Sequence, residues 1–208
     1  MKLCPQGLPV RFAALMLALL SPIVRGATDI VVCQACHGAH GEGNPALNAP
    51  ALAGQHQNYL ERQLMNFRAG RRGADASDTS GAVMRAQATA LDPADIARLT
   101  AAFTALPAVK AAAGAGDAAR GKARFDSECA ACHGQRGDGY PQLGTPNLRI
   151  LGAAYFAKQI DAYRRGWRGA SGAEGPLDQH GEWMRAVAGV MTEPRDVADI
   201  QAYLASLR

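Results

Sequence analysis

Cys33-Gln34-Ala35-Cys36-His37 recurs as Cys129-Ala130-Ala131-Cys132-His133. C-x-x-C-H is the attachment sequence of c-type haem. Two thiols three positions apart on a turn of helix reach two vinyl groups on neighbouring edges of one porphyrin, and each adds across a vinyl to form a thioether. The histidine that follows is then held beneath the iron, which its imidazole binds. Three other chemistries use such pairs. Zinc-binding C-x-x-C pairs normally stand much closer together in sequence. A thioredoxin-like redox pair needs a strand-and-helix setting that this sequence does not offer. Structural disulfides are the ordinary use of four cysteines in an exported chain, but they leave the histidine after both pairs unexplained. The motifs therefore predict two covalently attached haem c groups, one on Cys33 and Cys36 and one on Cys129 and Cys132, with His37 and His133 as metal ligands.

Haem iron has a sixth position. Met84 in Val83-Met84-Arg85-Ala86 and Met184 in Trp183-Met184-Arg185-Ala186 are the candidate metal ligands, lying 11 residues before Asp95 and 12 before Asp196. A thioether is a soft ligand that favours ferrous iron and raises the potential. The alternative for each is a methionine filling space in a core. In the second copy His180 is a rival, because it falls where the repeat offset carries position 84. Met191 stands where the first copy has Leu91 and reads as core. Met65 reads as packing, and His40 and His56 as surface or supporting histidines.

Those ligands need two frames, and the sequence repeats itself. The offset of 96 residues (129 less 33) holds without a gap for about forty residues beyond the motif. Gly41, Gly43, Pro45, Leu47, Pro50 and Leu52 become Gly137, Gly139, Pro141, Leu143, Pro146 and Leu148. Tyr59, Gln63, Arg68, Gly70 and Arg72 become Tyr155, Gln159, Arg164, Gly166 and Arg168. The chain is two copies of one small domain. The glycines after each motif suit a backbone that passes close to a flat macrocycle through positive-φ turns. Tyr59, Leu60, Gln63, Leu64 and Phe67 share one helical face, as do Tyr155, Phe156, Gln159, Ile160 and Tyr163. Each copy closes on an amphipathic helix, lined by Ile96, Leu99, Phe103 and Leu106 or by Val197, Ile200, Tyr203, Leu204 and Leu207. No stretch reads as strand. The expectation is an all-α chain with a first domain over 27–106, a linker over 107–116 and a second domain over 117–208.

The N-terminus reads as a secretory signal over residues 1–26. Lys2 and Arg11 precede an apolar run from Phe12 to Leu20, Ser21-Pro22 breaks it, and cleavage is expected near Gly26 or Ala27. An uncleaved anchor is the alternative, although the run is short for a membrane span. The formal charge of +4, less the three charges of Lys2, Arg11 and Arg25, leaves +1 for the processed chain. No basic block points to nucleic acid. Aromatic residues make up only 6% of the chain, so a large prosthetic group would supply apolar volume that the cores otherwise lack.

Together these residues resemble the tandem class I cytochromes c of the cytochrome c4 family. The run Pro50-Ala51-Leu52-Ala53-Gly54-Gln55, then Tyr59, Gln63-Leu64, Phe67-Arg68, Gly70 and Arg72, is similar to that family's first domain, and Asp196 to Leu204 to its terminal helix. The resemblance implies a few helices wrapped around each covalently bound haem. It implies His37 and His133 as proximal ligands, Met84 and Met184 as distal ones, and the Pro50 and Pro146 carbonyls as acceptors for the proximal imidazoles. Arg72 and Arg168 would neutralise haem propionates, with a solvated salt bridge as the alternative. The first copy departs from the pattern: only Ala27 to Val32 precede its motif after cleavage, whereas the second has a helix containing Gly121 and Phe125. The implied function is periplasmic single-electron transport in a respiratory chain without bond chemistry, between other cytochromes or a quinol-oxidising complex and a terminal oxidase. A cytochrome subunit of a flavo- or quinoprotein dehydrogenase is the alternative. A dihaem peroxidase, which needs a displaceable sixth ligand, fits less well.

Overall fold

The computed structural model describes residues 30–112, 114–169 and 178–207. The reading of residues 1–26 as a signal, and the Gly/Ala-rich loop after Gly169, fall outside them. Among the described residues there are nine α-helices and one isolated β-bridge, Asn44 to Ala49. The first copy contains α1 (Ile30–His37), α2 (Gln57–Arg68), α3 (Thr79–Thr89) and α4 (Pro93–Thr104). The second contains α5 (Ala118–Glu128), α6 (Ala130–His133), α7 (Ala153–Arg164), α8 (Gln179–Val190) and α9 (Pro194–Ser206). Short 3-10 turns at Pro45–Leu47 and Pro141–Leu143 follow the two motifs. Among the described residues no helix is long and apolar enough to cross a membrane.

Local chemistry sets the helix starts. Asp92 caps α4, its carboxylate accepting from Asp95 N–H at 2.8 Å, and Pro93 occupies the first turn where no N–H is needed. Asp117 accepts from Ala119 and Arg120 N–H at the start of α5. The two helices that carry the candidate methionines were not legible in the sequence. Each begins at an aspartate cap, Asp78 on Gly81 N–H at 3.1 Å and Asp178 on Gly181 N–H at 3.2 Å. The cap also shows how the register changes. Asp78, Gly81, Met84, Ala88 and Leu91 match Asp178, Gly181, Met184, Ala188 and Met191 at an offset of 100, so four extra residues lie between Gly169 and Asp178.

The second copy has the larger core, built on Phe125, Ile150, Phe156, Ile160, Met191, Ile200 and Leu204. In it α5 crosses α9 so closely that a Cβ on Gly121 would strike the Asp199 carbonyl. The first copy's core of Leu91, Ile96 and Leu99 is small, with Ile30, Cys33 and Leu64 packed against it. Ala51 of the first copy joins the second copy's core. Met65 departs from its expected packing role. It is 39% exposed, on the outer face of α2 where the second copy has Asp161, and Arg68 lies against its sulfur.

Candidate functional site

Each motif closes a helix. Cys33, Cys36 and His37 lie in the last turns of α1, and Cys129, Cys132 and His133 on and just before α6. In each pair one cysteine is half-buried (Cys33, Cys129) and the next exposed (Cys36, Cys132), and none is in a disulfide. Burial, chiefly, raises the Cys33 thiol and pushes Cys129 up to about 12. Half-buried neutral thiols disfavour thiolate metal ligation. Among the described residues no group of three or more His, Cys, Asp or Glu could hold a metal ion.

The two histidines are the buried ends of these motifs, each 5% exposed. His37 Nδ1–H donates to the Pro50 carbonyl at 2.8 Å, and His133 Nδ1 faces the Pro146 carbonyl at 3.4 Å. Burial, only partly offset by those carbonyls, lowers both imidazoles, His133 to about 4. A neutral ring with its proton on Nδ1 presents the Nε2 lone pair to a metal, and the carbonyl fixes ring orientation. The loop after each motif crosses directly over that carbonyl. A Cβ on Gly43, at φ 89°, would lie 2.6 Å from Ala51 N, and one on Gly139, at φ 75°, 2.5 Å from Pro146 O. Only glycine allows this approach.

Met84 is partly buried on α3 and Met184 partly buried on α8 against the second core. The cap register makes them counterparts. His180 matches Ser80 instead, and its Nε2 lies 3.0 Å from the Leu143 carbonyl. Met191, 1% exposed, is core, as its match to Leu91 predicts.

The solvated salt bridge expected as the alternative for Arg72 and Arg168 is not what the fold builds. Both are buried, 6% and 3% exposed, and stack on Phe67 and Tyr163. Arg72 donates to Gln63 of its own domain at 2.7 Å and across the boundary to Gln159 at 3.1 Å, and Arg168 to Gln159 of its own domain at 2.7 Å and across the boundary to Gln63 at 2.9 Å. Neither forms an ion pair among the described residues, and the Nε of each is buried without a partner. Two buried guanidinium groups without a carboxylate fit a group that brings its own acids, as haem does with its propionates. Sequence reasoning missed the part of Gln63 and Gln159. Their common spacing of nine residues before an arginine was the available signal.

Two repeats, each offering paired thiols, a neutral buried imidazole and a tight loop on a mainly helical frame, define a tandem c-type cytochrome. The chain matches the Cytochrome c family over residues 24–101 and 118–208. It is 33% identical to cytochrome c4 of Azotobacter vinelandii, covering 88% of this chain and 87% of that one. It is 33% identical to a "Thiosulfate dehydrogenase electron acceptor" of Stutzerimonas stutzeri, covering 76% and 73%. The solved structure of cytochrome c4 from Acidithiobacillus ferrooxidans superposes with a TM-score of 0.70 at 30% identity, covering 86% of this chain and all of that one. The chain belongs to the cytochrome c family, in its dihaem cytochrome c4 branch. It is an electron-transfer protein whose cofactors are two covalently bound haem c groups.

Proposed function

We propose that the chain is a periplasmic single-electron carrier of a respiratory chain and does no bond chemistry. His37 and Met84 hold one iron, His133 and Met184 the other. Residues 1–26 serve export, and 27–106 and 117–208 are the two modules, joined by 107–116. One observation carries this reading: each repeat offers a neutral buried imidazole together with a methionine at the same position of the same capped helix. The group bound there supplies one-electron redox chemistry. With His37 and Met84 holding one iron and His133 and Met184 the other, no coordination site would be left for a substrate. Unchanged ligands also keep reorganisation small. Other cytochromes, a quinol-oxidising complex and a terminal oxidase are the partners of this reading.

An absorption spectrum on protein of known haem content tests it. The parent is expected to hold two haems and to show the iron–methionine charge-transfer band. Met84→Ala and Met184→Ala should each remove about half of that band. A full-strength band in either variant assigns that distal position to another residue. Tight carbon monoxide binding by the parent would end the carrier reading.

A second reading has a specific observation behind it, the likeness to a protein named as an electron acceptor of thiosulfate dehydrogenase. In that case the donor is a dehydrogenase. Reduction of both haems by a thiosulfate dehydrogenase with thiosulfate, faster than by a quinol-oxidising complex, favours it.

A further inference from the structure

The peptide that receives the second proximal histidine is held by the other domain. Pro146 C=O, which faces His133 Nδ1, belongs to the same amide as Asn147 N–H. That N–H donates to Gln55 Oε1 at 2.8 Å, and Gln55 Nε2–H donates back to the Asn147 carbonyl at 3.0 Å. Gln55 is a first-domain residue just before α2, 1% exposed. Its oxygen also accepts from His56 N–H at 3.0 Å, which fixes the side chain from behind. Beside it, His56 Nε2 meets the Asp138 carbonyl at 2.7 Å, on the loop that returns through Gly139 N–H to the His133 carbonyl. The repeat does not reciprocate. The counterparts of Gln55 and His56 are Leu151 and Gly152, and among the described residues no second-domain side chain bonds the Pro50–Ala51 peptide.

The braced side has the longer imidazole bond, 3.4 Å against 2.8 Å. An N–H···O bond is ordinarily 2.7–3.2 Å, so the second lies outside the strong range. Donation by Asn147 N–H polarises the Pro146 carbonyl, but such cooperative strengthening is only about 10–30% per bond. Distance therefore wins. We propose that Gln55 is a positioning residue for the second haem: from the first domain it holds the Pro146 carbonyl back from His133. A weaker bond leaves the imidazole less basic, which favours ferrous iron. Through this brace domain docking tunes the potential of the second centre and not of the first. This rests on the assignment of His37 and His133 as proximal ligands.

The test is Gln55→Leu, which gives the first domain the residue its counterpart position already has. Redox titration followed by proton NMR reads the two centres separately, on protein shown to retain two haems. The second midpoint is expected to fall while the first stays. The His133 Nδ1–H resonance should move downfield as its bond shortens. His56→Ala removes a neighbouring interdomain bond but not the brace, and should shift the second midpoint by less than half as much. An unmoved or raised second midpoint, an equal shift of both centres, or a full shift in His56→Ala overturns the proposal. A parent without two histidine-ligated haems sinks the ligand assignment itself, which separates that failure from failure of the brace.

Discussion

Helices α4 and α9 close their domains at matching positions, but they are covered differently. On α9, Asp199 and Ala202 are buried, Asp199 holding Asp117 N–H at 2.6 Å and Arg120 at 2.9 Å while α5 crosses above. On α4 the counterparts Arg98 and Ala101 are exposed. The ion pairs follow the same division. Among the described residues Arg120, Lys122, Arg124, Arg149 and Arg165 pair within the second domain, and in the first domain Arg98 pairs with Asp95. Duplication preserved what surrounds the haem in each copy. Among the described residues, the domains are made unequal by the crossing helix α5 and by substitutions within the repeated register, Gln55 against Leu151 and a few in the cores.

The largest expected effect strikes the crossing helix. Phe125 is fully buried with its ring 5.4 Å from that of Tyr203. Phe125→Ala should cost about 3–5 kcal/mol, and the second domain should then unfold first in denaturant. Limited proteolysis would show which half is cut. A single unchanged transition breaks the claim that α5 sustains the inequality.

A symmetric change gives the opposite pattern. Arg72→Met and Arg168→Met each remove two charged hydrogen bonds to the shared glutamines. Removing positive charge beside the haems should lower both midpoints, and by similar amounts in the two variants. An effect confined to one haem would mean that the buried arginines do not serve both sites alike.

The smallest effect depends on one phenol. Tyr163 is buried against Arg168, and its counterpart in the first domain is Phe67. Burial, more than its neighbours, pushes the Tyr163 phenol up to about 12. The unfolded phenol loses its proton near pH 10, so stability is complete below that value and falls as pH rises to about 12. Moving that titration from near 10 to about 12 corresponds to about 2–3 kcal/mol. Denaturation midpoints across that range should show the loss in the parent, and Tyr163→Phe should abolish it.

Much of this was readable from residue types. The haem motifs, the face of α2 and α7 and the Asp92-Pro93 helix start depend on neighbours within a few turns, where spacing alone constrains geometry, and the 96-residue repeat shows when the sequence is laid against itself. The match of Met184 to Met84 was legible too, in the shared Met-Arg-Ala context and the similar distance to the closing helix, and the Asp78 and Asp178 caps give the same register. Met65 misled because an apolar residue on a helix does not by itself say which face is covered.

Covalent haem attachment and the helical class follow from the sequence, since each rests on short-range chemistry. Contacts between residues some ninety positions apart were left to tertiary structure. Gln55 on the Pro146–Asn147 peptide, Gln63 on Arg168 and Gln159 on Arg72 exist only because α2 and α7 meet across the domain boundary. An internal repeat says that two domains are alike. How they dock, and therefore how they differ, is decided where their surfaces exclude water together.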